Sequence, residues 1–352
     1  MRTLFLLSIA VAITAAAAET QNPRTFTIQA PKAAEVKLRG QWSPQEIPFA
    51  KGDDGVWRVD VADVPPGVWE YSFSVDGLNV IDPSNPAIKP QRGPAKSILH
   101  VASNPPAPWD WQEQIAHGTV HMHSYQSKSL GRLRELVVYT PPGYESGAEK
   151  LPLLVLQHGS GDNQRAWVEH GKAHWILDSL IAAGKAKPMI VLMISGHALE
   201  VPRGAVERRA EVMEAFRRDL LDDAIPLVEQ HYRVLADREQ RAITGLSMGA
   251  AQSLTVGLNA LDRFAWIGAF SGATMPEMIE APMKDAAGTN AKLKLLWIAC
   301  GKSDRGFERA QSFHQALEEA QIRHEWHVTE GEHSWPVWRN YLVDFAPRLF
   351  QR

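Results

Sequence analysis

The chain has 352 residues, 45% hydrophobic and 22% charged, with 25 Gly and 23 Pro, a composition that excludes disorder, collagen and coiled coil. At roughly 100 to 200 residues per domain, this length points to two domains. Thirty-seven Lys and Arg against 40 Asp and Glu leave a net charge of -3, which offers no field to attract nucleic acid or an anionic membrane.

Residues 1–18 read as a secretory signal. Arg2 supplies the positive start, residues 4–12 the apolar stretch, and Ala16-Ala17-Ala18 a small-residue cleavage site before Glu19. The apolar stretch is shorter than the roughly 20 residues that span a bilayer, so a secreted or periplasmic protein with no membrane attachment after cleavage is expected. Residues 25–101 then alternate apolar and polar positions in short runs punctuated by Pro65-Pro66-Gly67, Asp76-Gly77 and Asp82-Pro83, the pattern of a small β-sandwich. On one of those runs Trp69, Tyr71 and Phe73 share a face, which suits a sandwich core better than a sugar platform. Trp42, in the loop Gly40-Gln41-Trp42-Ser43, is the better candidate to stack on a sugar. Residues 102–111 read as a stiff linker, because 104–111 carry three Pro and two Trp.

From residue 112 to 352 strands alternate with helices. Apolar runs at 136–139, 153–157, 189–194, 241–244, 266–270, 293–299 and 325–328 are expected strands, and 173–183, 205–231 and 307–321 expected helices. That alternation predicts an α/β fold with a mostly parallel sheet covered on both faces. Cys300 is the single cysteine; it ends an apolar run and reads as a buried strand residue. His121 and His123 sit two apart on a further strand, but a metal site needs more ligands than these, and no metal or cofactor is expected.

Function is most legible in Gly245-Leu246-Ser247-Met248-Gly249, a G-x-S-x-G placed between an expected strand and an expected helix. In that context the serine sits on a sharp turn that lifts its hydroxyl above the sheet. The hydroxyl needs a base. Of 13 histidines, His333 in Gly331-Glu332-His333-Ser334-Trp335 follows the last strand, where a loop at the same sheet edge belongs. An acid must orient that imidazole: Asp304, in Gly301-Lys302-Ser303-Asp304, follows the penultimate strand and completes the order Ser, Asp, His of an α/β-hydrolase. Asp285 and Glu277 are weaker substitutes in an apparent insertion. Two backbone donors must face the developing oxyanion, and the amides of Met248 and Ser160, the latter in His158-Gly159-Ser160-Gly161, are the expected pair. His158 is expected to hold that loop. His197, Trp167 and Trp335 are candidates to line the acyl pocket.

Taken together these motifs, with Trp335-Pro336-Val337-Trp338-Arg339 after His333, resemble carbohydrate esterase family 1, the feruloyl and acetyl xylan esterases, and their esterase D and siderophore esterase relatives. Asp54-Gly55-Val56-Trp57 and residues 65–71 resemble the immunoglobulin-like early-set module, related to glycogen-binding modules, that precedes such esterases. Ala250 stands where the elbow commonly has a third Gly. The resemblance implies an α/β-hydrolase domain behind an immunoglobulin-like β-sandwich, and hydrolysis of carbohydrate-linked esters on plant cell-wall polysaccharide. Feruloyl esters are favoured because loops rich in Trp and His suit a flat aromatic acyl group. Acetyl xylan or a siderophore lactone is the alternative substrate, and an inactive carbohydrate-binding protein or an acyltransferase the alternative function.

Overall fold

The computed structural model describes residues 24–200 and 208–351; the expected signal segment lies outside the described residues. The N-terminal part forms two small antiparallel sheets. Its strands are β1 (Arg24–Gln29), β2 (Val36–Gly40), β3 (Ile47–Pro48), β4 (Ala50–Lys51), β5 (Val56–Val61), β6 (Gly67–Val75), β7 (Leu78–Val80) and β8 (Ser97–Val101). One sheet runs β1-β5-β4; the other runs β3-β2-β6-β7, with β8 also on β6. Alternating residues of both sheets, among them Phe26, Ile28, Leu38, Trp57, Tyr71 and Phe73, meet in one apolar cluster, as the period of a half-buried strand requires. Tyr71 and Phe73 are core, as their spacing suggested, while Trp69 is half-buried.

The segment expected to be a stiff linker, residues 102–111, is folded onto its neighbours. Asp110 is buried, accepts hydrogen bonds from the Ser103 and Ala107 amides at 2.9 and 2.8 Å, and sits 2.7 Å from His100 Nε2. Trp109 packs against the larger domain's core. The segment bends at 104–105 and turns at 107–110, where the Asp110 amide donates to the Ala107 oxygen at 2.9 Å, and this brings its aromatic side chains to apolar surface they can cover.

The larger unit contains β9 (Thr119–Ser127), β10 (Arg132–Thr140), β11 (Leu153–Gln157), β12 (Ile190–Ile194), β13 (Arg241–Gly245), β14 (Trp266–Phe270), β15 (Leu295–Gly301) and β16 (Glu325–Thr329). They form one sheet in the order β16-β15-β14-β13-β11-β12-β10-β9. The strands from β12 to β16 run parallel, and β10 and β9 join as antiparallel neighbours. A mixed sheet of this order, with helices on both faces, is the fold of an α/β-hydrolase. Consecutive residues of the central strands feed opposite faces: Leu153 and Val155 one cluster, Leu154 and Leu156 the other. The first cluster is covered by α3 (Arg209–Arg218), α4 (Ile225–His231), α5 (Met248–Asn259) and α8 (Phe307–Glu319), the second by α2 (Ala173–Ala182) and α9 (Trp335–Phe345). The short helices α1 (Ala166–Glu169), α6 (Glu280–Lys284) and α7 (Ala286–Lys292) complete the set.

The helix expected over 205–231 is interrupted by a π-helical turn at Asp219–Ala224, with Pro226 in the first turn of α4. Proline has no N–H to donate, and its ring crowds the carbonyl four residues back, so the ladder widens there. The turn carries the buried Asp219, which accepts from Tyr125 at 2.9 Å and from Arg134 at 2.9 Å. Cys300 is fully buried in β15, and burial pushes its thiol up to about 12, which makes it an inert packing group.

Candidate active site

Because β11, β13, β15 and β16 are parallel, their C-terminal ends open on one edge of the sheet, and the loops leaving them converge there. Ser247 links β13 to α5 with φ 52° and ψ -110°, a left-handed conformation costly for a residue with a Cβ. The turn exists because its neighbours are glycines. A Cβ on Gly245 would sit 2.7 Å from the Gln157 backbone oxygen, and one on Gly249 would sit 2.5 Å from the His158 oxygen. Those close approaches seat the start of α5 directly on the end of β11.

His333 lies in the loop between β16 and α9, and its Nε2 is 2.9 Å from Ser247 Oγ. Its Nδ1 is 2.9 Å from both carboxylate oxygens of Asp304. With the Nδ1 proton donated to Asp304, Nε2 accepts from the Ser247 hydroxyl, so the acid sets the tautomer that can take a proton from the serine. Asp304 is buried. Burial disfavours its charge, but hydrogen bonds led by that of His333, with the Gly306 amide at 2.7 Å, hold its carboxyl below the ordinary value. The loops bearing His333 and Asp304 touch at Gly301, where a Cβ would meet the Gly331 oxygen at 2.2 Å. Asp285 and Glu277 are not in this constellation: Asp285 caps α7 by accepting from the Gly288 amide, and Glu277 is exposed.

Met248 is the first residue of α5 and Ser160 is an exposed residue of the loop after β11. First-turn N–H groups of a helix lack intrahelical acceptors, which leaves the Met248 amide able to face a ligand. His158 is buried, and burial lowers its pKa to about 3, so it is neutral. Its Nδ1 donates to the Gly159 oxygen at 2.8 Å and its Nε2 accepts from the Gly196 amide at 2.9 Å. Gln252 of α5 in turn donates to the Gly196 oxygen at 2.8 Å. His158 thus fastens the loop to its neighbours, as expected of it.

A cleft of about 460 Å³ opens over Ser247 and His333. On the α/β side it is lined by Gly159, Ser160, Asp162, Ser303, Arg305, Trp335 and Trp338, and on the other by Gln41, Glu70, Lys89 and Gln91 of the N-terminal part. Several expected substrate contacts lie elsewhere. Trp42 is half-buried and packs on Phe26, ring centroids 5.9 Å apart, against the N-terminal core, because the bare Cα of Gly40 leaves room for its ring. Trp167 is 1% exposed, packs against Trp335 and Phe270, and is not among the residues that line the cleft. His197 lines a separate depression with Arg92, Arg132 and Arg134. Trp335 does line the cleft, though only 1% exposed. The particular wall residues of the N-terminal part, Gln41, Glu70, Lys89 and Gln91, carry no linear signal that joins them to Ser247. Asp162 was missed, although it follows His158 by four positions. Among the described residues no cluster fits a metal ion, and no helix is long and apolar enough to cross a membrane.

The family described as Putative esterase matches residues 127–349. An endo-1,4-beta-xylanase/feruloyl esterase of Xylanibacter ruminicola is 30% identical over 336 residues, 93% of this chain. The chain spans 44% of that relative's length. Among solved structures, a ferulic acid esterase is 25% identical with a TM-score of 0.58, covering 67% of this chain and all of its own. The enterobactin esterase of Shigella flexneri has a TM-score of 0.65 at 18% identity, covering 93% of this chain and 92% of its own, a likeness of fold alone.

Proposed function

The chain belongs to the Putative esterase family, among the feruloyl and acetyl xylan esterases of the carbohydrate esterase family 1 type, and from that premise we propose that it is a serine carboxylic-ester hydrolase working through an acyl-enzyme. The observation that carries the reading is the unbroken hydrogen-bonded series Asp304, His333, Ser247 on the strained turn. Ser247 Oγ attacks the ester carbonyl as its proton passes to His333 Nε2, and Asp304 stabilises the imidazolium. The Met248 and Ser160 amides receive the oxyanion. His333 returns the proton to the departing alcohol, leaving acyl-Ser247. Water, deprotonated by His333, then attacks the acyl carbon and releases the acid and free serine.

The substrate is an ester linked to plant cell-wall carbohydrate, with feruloyl the preferred acyl group. Support comes from the relatives named as feruloyl esterases, and of the expected aromatic walls Trp335, with Trp338, lines the cleft while Trp167 does not. The largely polar cleft, with Gln41, Gln91 and Ser303, suits a hydroxylated alcohol portion. The N-terminal part is read as an immunoglobulin-like, carbohydrate-binding-related module over 25–101, and export is proposed on the signal-like residues 1–18. The test is kcat/KM on methyl ferulate, methyl p-coumarate, acetylated xylan and a catecholate trilactone. Ferulate is expected to lead. A faster acetylated xylan would replace the acyl assignment, and a faster trilactone would move the protein to siderophore release, a reading that the enterobactin esterase fold, shared over 93% of the chain, makes the natural second arm.

A further inference from the structure

The loop of residues 159–162 is fastened at its two ends by different parts of the molecule. At the near end His158 holds the Gly159 oxygen and the Gly196 amide, all within the α/β unit. At the far end the partners come from the N-terminal module. The Arg92 amide donates to the Gly161 oxygen at 2.8 Å, Gln91 forms a β-bridge with Asp162, and the Lys89 ammonium lies 3.7 Å from the Asp162 carboxylate. Between them sits Ser160. Gly161 has φ +90° and nothing within 4 Å of where a Cβ would be, so neither sterics nor a side chain restrains the loop at that point.

We infer that segment 89–92 of the N-terminal module holds the oxyanion loop in register, which makes Lys89 and Asp162 positioning residues of the esterase site. The inference rests on the esterase reading above. Lys89 is placed as a clamp rather than as a cation for substrate. Its ammonium is 2.8 Å from Glu70 as well as 3.7 Å from Asp162, and the side chain is 11% exposed, so two carboxylates of the protein already claim it. Asp162 is 4% exposed, and burial pushes its carboxyl up to about 7 in spite of Lys89, a penalty the fold tolerates at a position that fixes the loop. An oxyanion hole stabilises only if its donors stand where the charge develops, and a displacement of about 1 Å costs up to about a hundredfold. The module therefore acts on the rate of the chemical step without touching the reacting atoms.

The test uses the full chain and p-nitrophenyl acetate, an ester whose small alcohol cannot reach a sugar-binding surface. Lys89→Met is expected to lower kcat about tenfold or more with KM within about twofold, because the lost interaction is made in the transition state. Lys89→Arg, which keeps the charge, is expected to recover kcat to within about threefold of wild type. Lys89→Met combined with Asp162→Asn should be little worse than either alone, since both break one link. Should Lys89→Met lose its cooperative thermal transition, Arg92→Pro, which deletes the N–H bonded to Gly161, gives the same reading. An unchanged kcat in the folded variants, a change confined to KM, or failure of Lys89→Arg to recover activity would overturn the inference and leave the esterase reading standing. A wild-type chain that hydrolyses no ester would overturn both.

Discussion

The two sides of the cleft are held by different means. On the side of Ser247, Asp304 and His333 every support is internal to the α/β unit, and each residue sits within a few positions of a strand end that the sheet register places. On the side of the oxyanion loop, His158 holds the near end from within the α/β unit, but the far end is supported by residues 89–92, about seventy positions away, through one amide, one bridge and one ion pair. The first side needs only that the sheet forms. The second also needs the module to dock, and the docking is itself secured by buried Arg339, whose guanidinium donates to the Val68 oxygen of the module at 2.9 Å and to the His170 oxygen at 3.1 Å. Under the proposed function, this edge has a self-sufficient Ser247 and a borrowed oxyanion loop.

The largest effect should come from breaking the self-sufficient side. Ser247→Ala is expected to keep its thermal transition and lose roughly 10⁴-fold or more in kcat, and the Ser247→Ala/His333→Ala double variant should be little worse. Multiplicative losses would mean the two residues serve different functions. Asp304→Asn, by freeing the tautomer of His333, should cost about 10³- to 10⁴-fold in kcat with the fold intact; a loss below about tenfold would remove Asp304 from its role. Arg339→Met leaves two buried carbonyls without their donor and should lower stability by about 2 to 5 kcal/mol in urea titrations, sharpening the comparison by weakening the docking itself. Trp42→Ala removes the ring that packs against the module core and should cost about 2 kcal/mol, while kcat/KM on a small aryl ester stays within about twofold if Trp42 touches no substrate. A larger kinetic loss would return Trp42 to the site.

The smallest effect is a pH dependence. The Asp162 carboxyl is pushed up to about 7 by burial, above its value of about 3.9 in an unfolded chain. The folded state therefore holds this proton more tightly, a stabilisation complete below about pH 4 and lost as pH rises through about 7. Asp162→Asn stays neutral throughout, so its stability relative to wild type should increase between pH 5 and pH 8. A difference that does not vary over that range would show that Asp162 ionises normally in the fold.

The sheet, the elbow and the order of Ser247, Asp304 and His333 were legible in the chain because each depends on near neighbours. A strand is an apolar run, an elbow is two glycines around a serine, and strand ends at one edge follow from parallel alternation. The helix expected over 205–231 shows the limit of such reading: the apolar periodicity continues through 219–224, but Pro226 changes the hydrogen-bond ladder, and Asp219 finds Tyr125 and Arg134 only in the fold. Trp167 and Trp42 show another. An aromatic residue in a loop-like stretch reads alike whether it faces a cleft or a core, and only the packing around it, Trp335 and Phe270 in one case and Phe26 in the other, settles which.

By itself the amino-acid sequence determined the α/β architecture, the strained turn at Ser247 and the residue types able to complete a hydrogen-bonded series with it, since backbone sterics and hydrophobic period act over a few residues. Only the tertiary structure decided that Lys89, Gln91 and Arg92 meet Gly161 and Asp162, that Gln41 and Glu70 wall the cleft, and that Trp109 of the linker packs on the larger unit's core. Such contacts join segments with no shared local pattern, and their free energy comes from surfaces that exist only once both units have folded.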